Sequence, residues 1–222
     1  MAPPANTPRR RGRRQGEPVS REVVLTAARK RFAADGYERT TLRAIAKDAH
    51  VDPSMVLYLF GSKLDLFRES LRLIIDPQVL VAALSEAGGD VGARLVRVYL
   101  QIWESSETGP SMVVMLQSAT SSSEAHEAFQ SFIRTYVLTA VAGVLGGDEH
   151  ARLRATLAAT TLVGTAMLRY VMKIPPLATL PGDELVPLLA PTVTRYLTAD
   201  AEELGLPPVI GREFPCTAPE VR

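Results

Sequence analysis

The chain has 222 residues, 46% of them apolar, which is enough for a sizeable core and too many for a disordered polymer. Cys216 is the single cysteine, which excludes an intrachain disulfide and a thiolate metal cage and suits a reducing cytoplasm. The net charge of +1 conceals a split: residues 1–63 carry 13 Lys/Arg against 6 Asp/Glu, whereas residues 64–222 carry 12 against 18, so one end seeks a polyanion and the rest does not.

Residues 1–17 read as a disordered basic arm. Arg9, Arg10, Arg11, Arg13 and Arg14 stand among prolines and glycines with no acid between them. Such an arm tracks phosphates or enters a minor groove; a solvated tail is the other reading. No apolar stretch follows the arginines, so the start does not read as a secretory signal. No uninterrupted run of about 18 apolar residues predicts a membrane span.

The helices begin behind this arm. Ser20 is placed to cap a first one, with Val23, Val24, Ala27, Ala28 and Phe32 as its buried stripe and Gly36 as its stop. Thr41 caps a second, with Leu42, Ile45, Ala46 and Ala49 inward. Asp52 caps a third, and Pro53 takes its first position, where a missing N–H costs nothing. Ser62 caps a fourth with Asp65 as its box partner, burying Leu64, Phe67, Leu71 and Ile74. Asp76-Pro77 breaks the chain. Further helices are expected near 78–87, 90–106, 110–119, 123–145, 148–172 and 183–198, punctuated by Gly and Pro pairs. No segment alternates with period two, so the fold class is all-α. Residues 201–222, with four prolines, read as a flexible tail.

Only three residues separate Ala49 from Pro53, which holds two helices at a steep angle as a helix-turn-helix, with its motif over 41–60. At about 100° per residue, Val56, Leu59 and Phe60 fall on the packing side of the second of these helices. Ser54, Met55 and Tyr58 fall on the other. A hydroxyl, a thioether and a phenol without charge suit base edges. Arg43 and Lys47, four apart, supply positive charge for phosphates, a solvated face being the alternative. The helix starts at Thr41 and Lys63 present free N–H groups to phosphates. A lysine in a first turn opposes the helix dipole, so Lys63 reads either as a phosphate ligand or as a solvated surface lysine.

The run "AARKRFAADGYERTTLRAIAKDAHVDPSMVLYLFGSK" and the helix behind it resemble the N-terminal DNA-binding domain of the TetR/AcrR transcriptional regulators. "RYVMKIPPLATL" and "LAPTVTRYLT" resemble a C-terminal effector-binding and dimerisation domain common in actinobacterial members, so the resemblance spans residues 20 to 198. It implies an N-terminal three-helix helix-turn-helix domain over 18–76 and a larger helical ligand-binding and dimerisation domain over 77–200. It also implies a homodimer that represses transcription and leaves its operator when a small molecule binds. Thr41, Arg43, Pro53, Ser54, Met55, Tyr58 and Lys63 match positions that often touch DNA in the family. This chain departs from it at His50, where many members have glycine, at Asp52, where many have serine, and at Leu57, where many have a phosphate-binding tyrosine.

A lone helix-turn-helix contacts few base pairs, so a two-fold pair on a palindromic operator of double-stranded DNA is expected. The helices at 148–172 and 183–198 are candidates for the dimer interface. Ala151, Ala155, Ala158, Ala159 and Gly164 are small enough for close approach there, with packing inside the chain as the alternative. For an apolar or amphipathic effector the middle helices offer Tyr99, Trp103, Met112, Met115, Gln117, Phe129 and Phe132, a set that also reads as plain core. Trp103 stands out because so large a ring is awkward to bury completely.

His50, His126 and His150 form no metal-ligand spacing, and no nucleophile, phosphate-loop or dinucleotide signature is present. No catalytic residue, metal or cofactor is expected, and the chain does not read as an enzyme. The expected function is a sequence-specific, ligand-responsive transcriptional repressor in the cytoplasm. A non-enzymatic interaction protein, or a ligand-sequestering one without specific operator binding, is the alternative.

Overall fold

The computed structural model describes residues 21–72, 76–147 and 150–208. The basic arm, Ser20, Ile74 and the last part of the tail lie outside them. Among the described residues every regular element is helical: α1 (Arg21–Arg39), α2 (Leu42–Asp48), α3 (Pro53–Phe60), α4 (Lys63–Arg72), α5 (Pro77–Ser85), α6 (Val91–Glu104), α7 (Gly109–Ser121), α8 (Ser123–Phe132), α9 (Leu138–Val144), α10 (Ala151–Ala166) and α11 (Gly182–Thr198). Two π turns, Ile133–Val137 and Met167–Val171, join α8 to α9 and extend α10.

The first four helices close over a small core. Val24, Ala28 and Phe32 of α1 are buried, as the spacing predicts, but Val23 is half exposed. Phe32, Tyr37 and Phe67 form an aromatic cluster, with Phe67 edge-on to both partners at centroid distances of 4.9 and 5.0 Å. Gly36 interrupts α1 at φ 75°, a left-handed value that a side chain would strain. The buried Thr40 hydroxyl donates to the Gly36 carbonyl at 2.7 Å and so satisfies the loosened helix end. Arg31 grips Asp48 of α2 through Nε and Nη2 and reaches Asp35 through Nη1.

The α2–α3 turn is a Schellman motif. Val51 N–H donates to Ala46 O at 2.9 Å, and His50 occupies the left-handed position at φ 54°. Asp52 then caps α3 by accepting from the Ser54 N–H at 2.8 Å. The Ser62–Asp65 box forms at the head of α4, with both bonds made.

The larger body packs α11 along α6, α5 against α6 and α9, and α10 against α9 and α11. The α6–α11 approach needs Gly92: a Cβ there would stand 2.2 Å from Thr194 Oγ1 and 2.6 Å from Ala190 O. Buried arginines hold helix ends that composition does not reveal. Arg154 donates to Ala199 O and Leu145 O, and Arg169 donates to Leu177 O and Leu180 O. The small residues of α10 point the other way from the expectation. Ala151, Ala155 and Ala158 are buried inside the chain, and of the five only Gly164 is exposed. Residues 201–206, expected as the start of a flexible tail, form hydrogen-bonded turns.

Candidate nucleic-acid interface and enclosed cavity

The α3 helix turns its two faces as periodicity requires. Val56 and Phe60 are buried, with Leu59 half-buried beside them. On the other side Tyr58 is 85% exposed, Ser54 is exposed and Met55 is half-buried. Thr41, Arg43 and Lys47 are exposed on α2 and at its cap; Pro53 and Lys63 are half-buried. Leu57, at 48% exposure, adds an apolar side chain to this surface.

Local bonds set the donors and acceptors this surface can offer. The Thr41 hydroxyl accepts from Ala44 N–H at 3.2 Å. The Ser54 hydroxyl donates to Asp52 Oδ1 at 2.6 Å, so its free capacity is as an acceptor. These two bonds to Ser54 hold the exposed Asp52 carboxyl below the usual carboxylate range, keeping a negative charge at the edge of the face. Lys63 is more committed than its position suggests. Its ammonium donates to Glu38 O at 3.3 Å and stands 4.2 Å from the Tyr37 ring centroid. Arg21, which sequence reasoning overlooked, stitches the unit together. It donates to Leu59 O at 2.6 Å, lies over the Phe60 ring at 4.2 Å and pairs with Glu69.

A second feature lies inside the larger body. Helices α5 to α10 line an apolar cavity of about 100 Å³. Tyr99, Trp103, Met112 and Phe129 line it. Met115 and Phe132 are buried outside its wall, and Gln117 is exposed on the far side of α7. The remaining wall is aliphatic, and Ala155, Ala158 and Ala159 of α10 leave the space by being small. Ile133 and Val137, from the first π turn, complete it. Aliphatic wall residues carry no signal in a sequence, since at helical spacing they match ordinary core. Trp103 is 6% exposed and stacks on Tyr170 at 5.1 Å. Tyr99 donates its hydroxyl proton to Leu162 O at 2.8 Å. Among the described residues no group of three or more His, Cys, Asp and Glu is placed to hold a metal ion, and no helix is long and apolar enough to cross a membrane.

The two features are connected. Tyr37, at the end of α1, accepts no distance from the larger body: its N–H donates to Ser118 Oγ of α7 at 3.3 Å and its phenol donates to Glu124 Oε2 of α8 at 2.6 Å. A short turn between α2 and α3, with an uncharged outer face on α3, is the arrangement of a helix-turn-helix, here joined to a helical body that holds an apolar cavity.

Two family models match the sequence. One, described as bacterial regulatory proteins, tetR family, matches residues 24–70; the other, described as tetracyclin repressor-like, C-terminal domain, matches residues 89–197. A TetR-family regulator from Streptomyces coelicolor A3 is 36% identical, with 84% of the present chain and 99% of that one covered at a TM-score of 0.61. A transcriptional regulator from Rhodococcus sp. Rha1 is 26% identical, with coverage of 79% and 95% and a TM-score of 0.53. NalD, the secondary repressor of the MexAB-OprM multidrug efflux pump in Pseudomonas aeruginosa, is 21% identical over 81% and 95% at a TM-score of 0.56, a likeness of fold. No curated protein matches. The chain belongs to the TetR family of transcriptional regulators, and its class of function is DNA-binding control of transcription.

Proposed function

We propose that this protein is a dimeric repressor that leaves a palindromic operator when an apolar effector fills the cavity. The observation that carries the reading is the shared framework. Met112 and Leu116 of the cavity wall lie on α7, and Phe129 lies on α8. The same two helices hold Tyr37 through Ser118 and Glu124. An occupant that spreads α7 and α8 therefore tilts the helix-turn-helix, and two reading helices lose their common spacing on the duplex.

Ser54, Met55 and Tyr58 read base edges, while Thr41, Arg43, Lys47, Pro53 and Lys63 meet the backbone. Of these, Lys63 contributes least, being held by Glu38 and Tyr37. Val163 and Leu168 on the α10 side, and Leu188 on α11 at 64% exposure, support a dimer face there. The protein acts in the cytoplasm, where its DNA is.

The test is a gel shift on the DNA upstream of the protein's own coding sequence, at several salt concentrations, with the mass of the complex measured. One palindrome bound by two chains, and released by an apolar compound, is the expected result. Equal affinity for every duplex, or for none, overturns the reading in favour of a sequestering or interaction protein.

A further inference from the structure

The outward face of α3 is built from four side chains. At about 100° per residue, Leu57 and Met55 lie on its two flanks, with Ser54 and Tyr58 between them. Ser54 and Tyr58 are exposed, Leu57 is 48% exposed and Met55 is half-buried. The rotation of the helix is fixed from behind. Val56 and Phe60 are buried, and Arg21 lies over the Phe60 ring while donating to Leu59 O.

The chemistry of this face is selective. Residues 53–60 contain no lysine, arginine, asparagine or glutamine, the side chains that pair bidentately with guanine or adenine. The Ser54 hydroxyl gives its proton to Asp52 Oδ1, so its remaining capacity is as an acceptor. Asp52, at the head of the helix, is acceptor-only when ionised and repels the N7 and O6 acceptors of guanine. Tyr58 Oη can donate to adenine N7 or thymine O4. In the major groove an A·T pair displays an amino donor and a methyl group together, whereas G·C displays an amino donor and no methyl. An acceptor flanked by two apolar side chains is complementary to the first.

Resting on the operator reading above, we propose that α3 selects A·T pairs and that Leu57, with Met55, holds thymine methyl groups. Leu57 carries no group that could bond a phosphate, so its contribution on the duplex is the methyl contact. The acceptor at Ser54 takes the adenine amino proton between the two apolar flanks.

Selection from a random duplex library by the full chain supplies the operator. Replacing its thymines by uracil one at a time then tests the inference, since uracil keeps every hydrogen-bonding group and lacks only the methyl. Affinity is expected to fall about fourfold for each methyl that α3 holds, the effect of burying one carbon. The losses should fall at symmetric positions in the two half-sites. Leu57→Ala is expected to melt as the wild type does, because the side chain is half exposed. It should abolish the uracil effect at one pair in each half-site and leave the others. Should that variant fail to fold, the wild-type scan decides. An operator indifferent to uracil at every thymine, or a Leu57→Ala chain that keeps every uracil effect, overturns this inference and leaves the repressor reading standing. A library that yields no preferred duplex overturns the repressor reading and this inference with it.

Discussion

Tyr37 Oη and Glu124 Oε2 lie 2.6 Å apart, and that bond ties the last turn of α1 to the first turn of α8. The tyrosine is 2% exposed, and its ring also meets Phe67 and the Lys63 ammonium. One side chain thus joins the DNA-reading unit to the helices that wall the cavity.

Tyr37→Phe keeps the ring contacts and removes the bond. The expected loss is about 1.5–2 kcal/mol, the lower part of the range for hydrogen bonds to charged groups, because Glu124 is exposed. Urea unfolding measures it. The same variant is expected to bind operator while responding less to effector, read as the ratio of affinities with and without the compound. An unchanged ratio would remove Tyr37 from the coupling route.

Tyr58 is 85% exposed, so Tyr58→Ala is expected to change stability by less than about 0.5 kcal/mol. Operator affinity is expected to fall about tenfold or more, at some operator positions more than others. Lys47→Ala, by contrast, weakens binding to all sequences and lowers the log–log salt slope by about 1. Titrations at several salt concentrations separate the two; identical behaviour of both variants would refute the division into readers and phosphate ligands.

His50 holds a left-handed conformation at φ 54° in the turn between α2 and α3. A residue with a Cβ is strained there, and glycine is not. His50→Gly is expected to raise stability by about 1 kcal/mol in thermal or urea unfolding. A loss of stability would mean that the imidazole makes a contact worth more than the strain.

Stability should fall at both ends of the pH range for opposite reasons. Hydrogen bonds from Ser54 to Asp52 and from Thr194 to Asp90 hold both carboxyls below their ordinary value. Their contribution is complete above the unfolded value of about 4 and is lost as pH falls through the folded one. Burial pushes the Tyr37 phenol up, and burial pushes that of Tyr170 up to about 12. Their contribution is complete below the unfolded value of about 10 and is lost as pH rises toward the folded one. A plot of melting temperature against pH is expected to be flat between these limits. Asp90→Asn should flatten the acid limb, and an unaltered limb would exclude Asp90 from it.

Much of the reading unit was legible along the chain because its determinants are local. Asp52-Pro53 starts a helix wherever it stands, and the spacing of Val56, Leu59 and Phe60 settles which side is buried. The capping box at Ser62 and Asp65 works by contacts three residues apart. Lys63 was legible only as a cation in a first turn, because its partners, Glu38 and Tyr37, come from another helix. The cavity was half legible. Aromatic and sulfur side chains drew notice to Tyr99, Trp103, Met112 and Phe129, but the same rule also selected Met115, Gln117 and Phe132, which lie elsewhere.

What the sequence determined by itself was the set of helices, the caps of α2, α3 and α4 and the outward face of α3, since helix periodicity and capping act within a few residues. Only the tertiary structure decided that the α10 alanines hollow out the interior instead of facing a partner, that a π turn closes the cavity, and that Tyr37 bridges the two halves. Those outcomes depend on which distant helices meet and at what rotation, and packing between remote segments sets both.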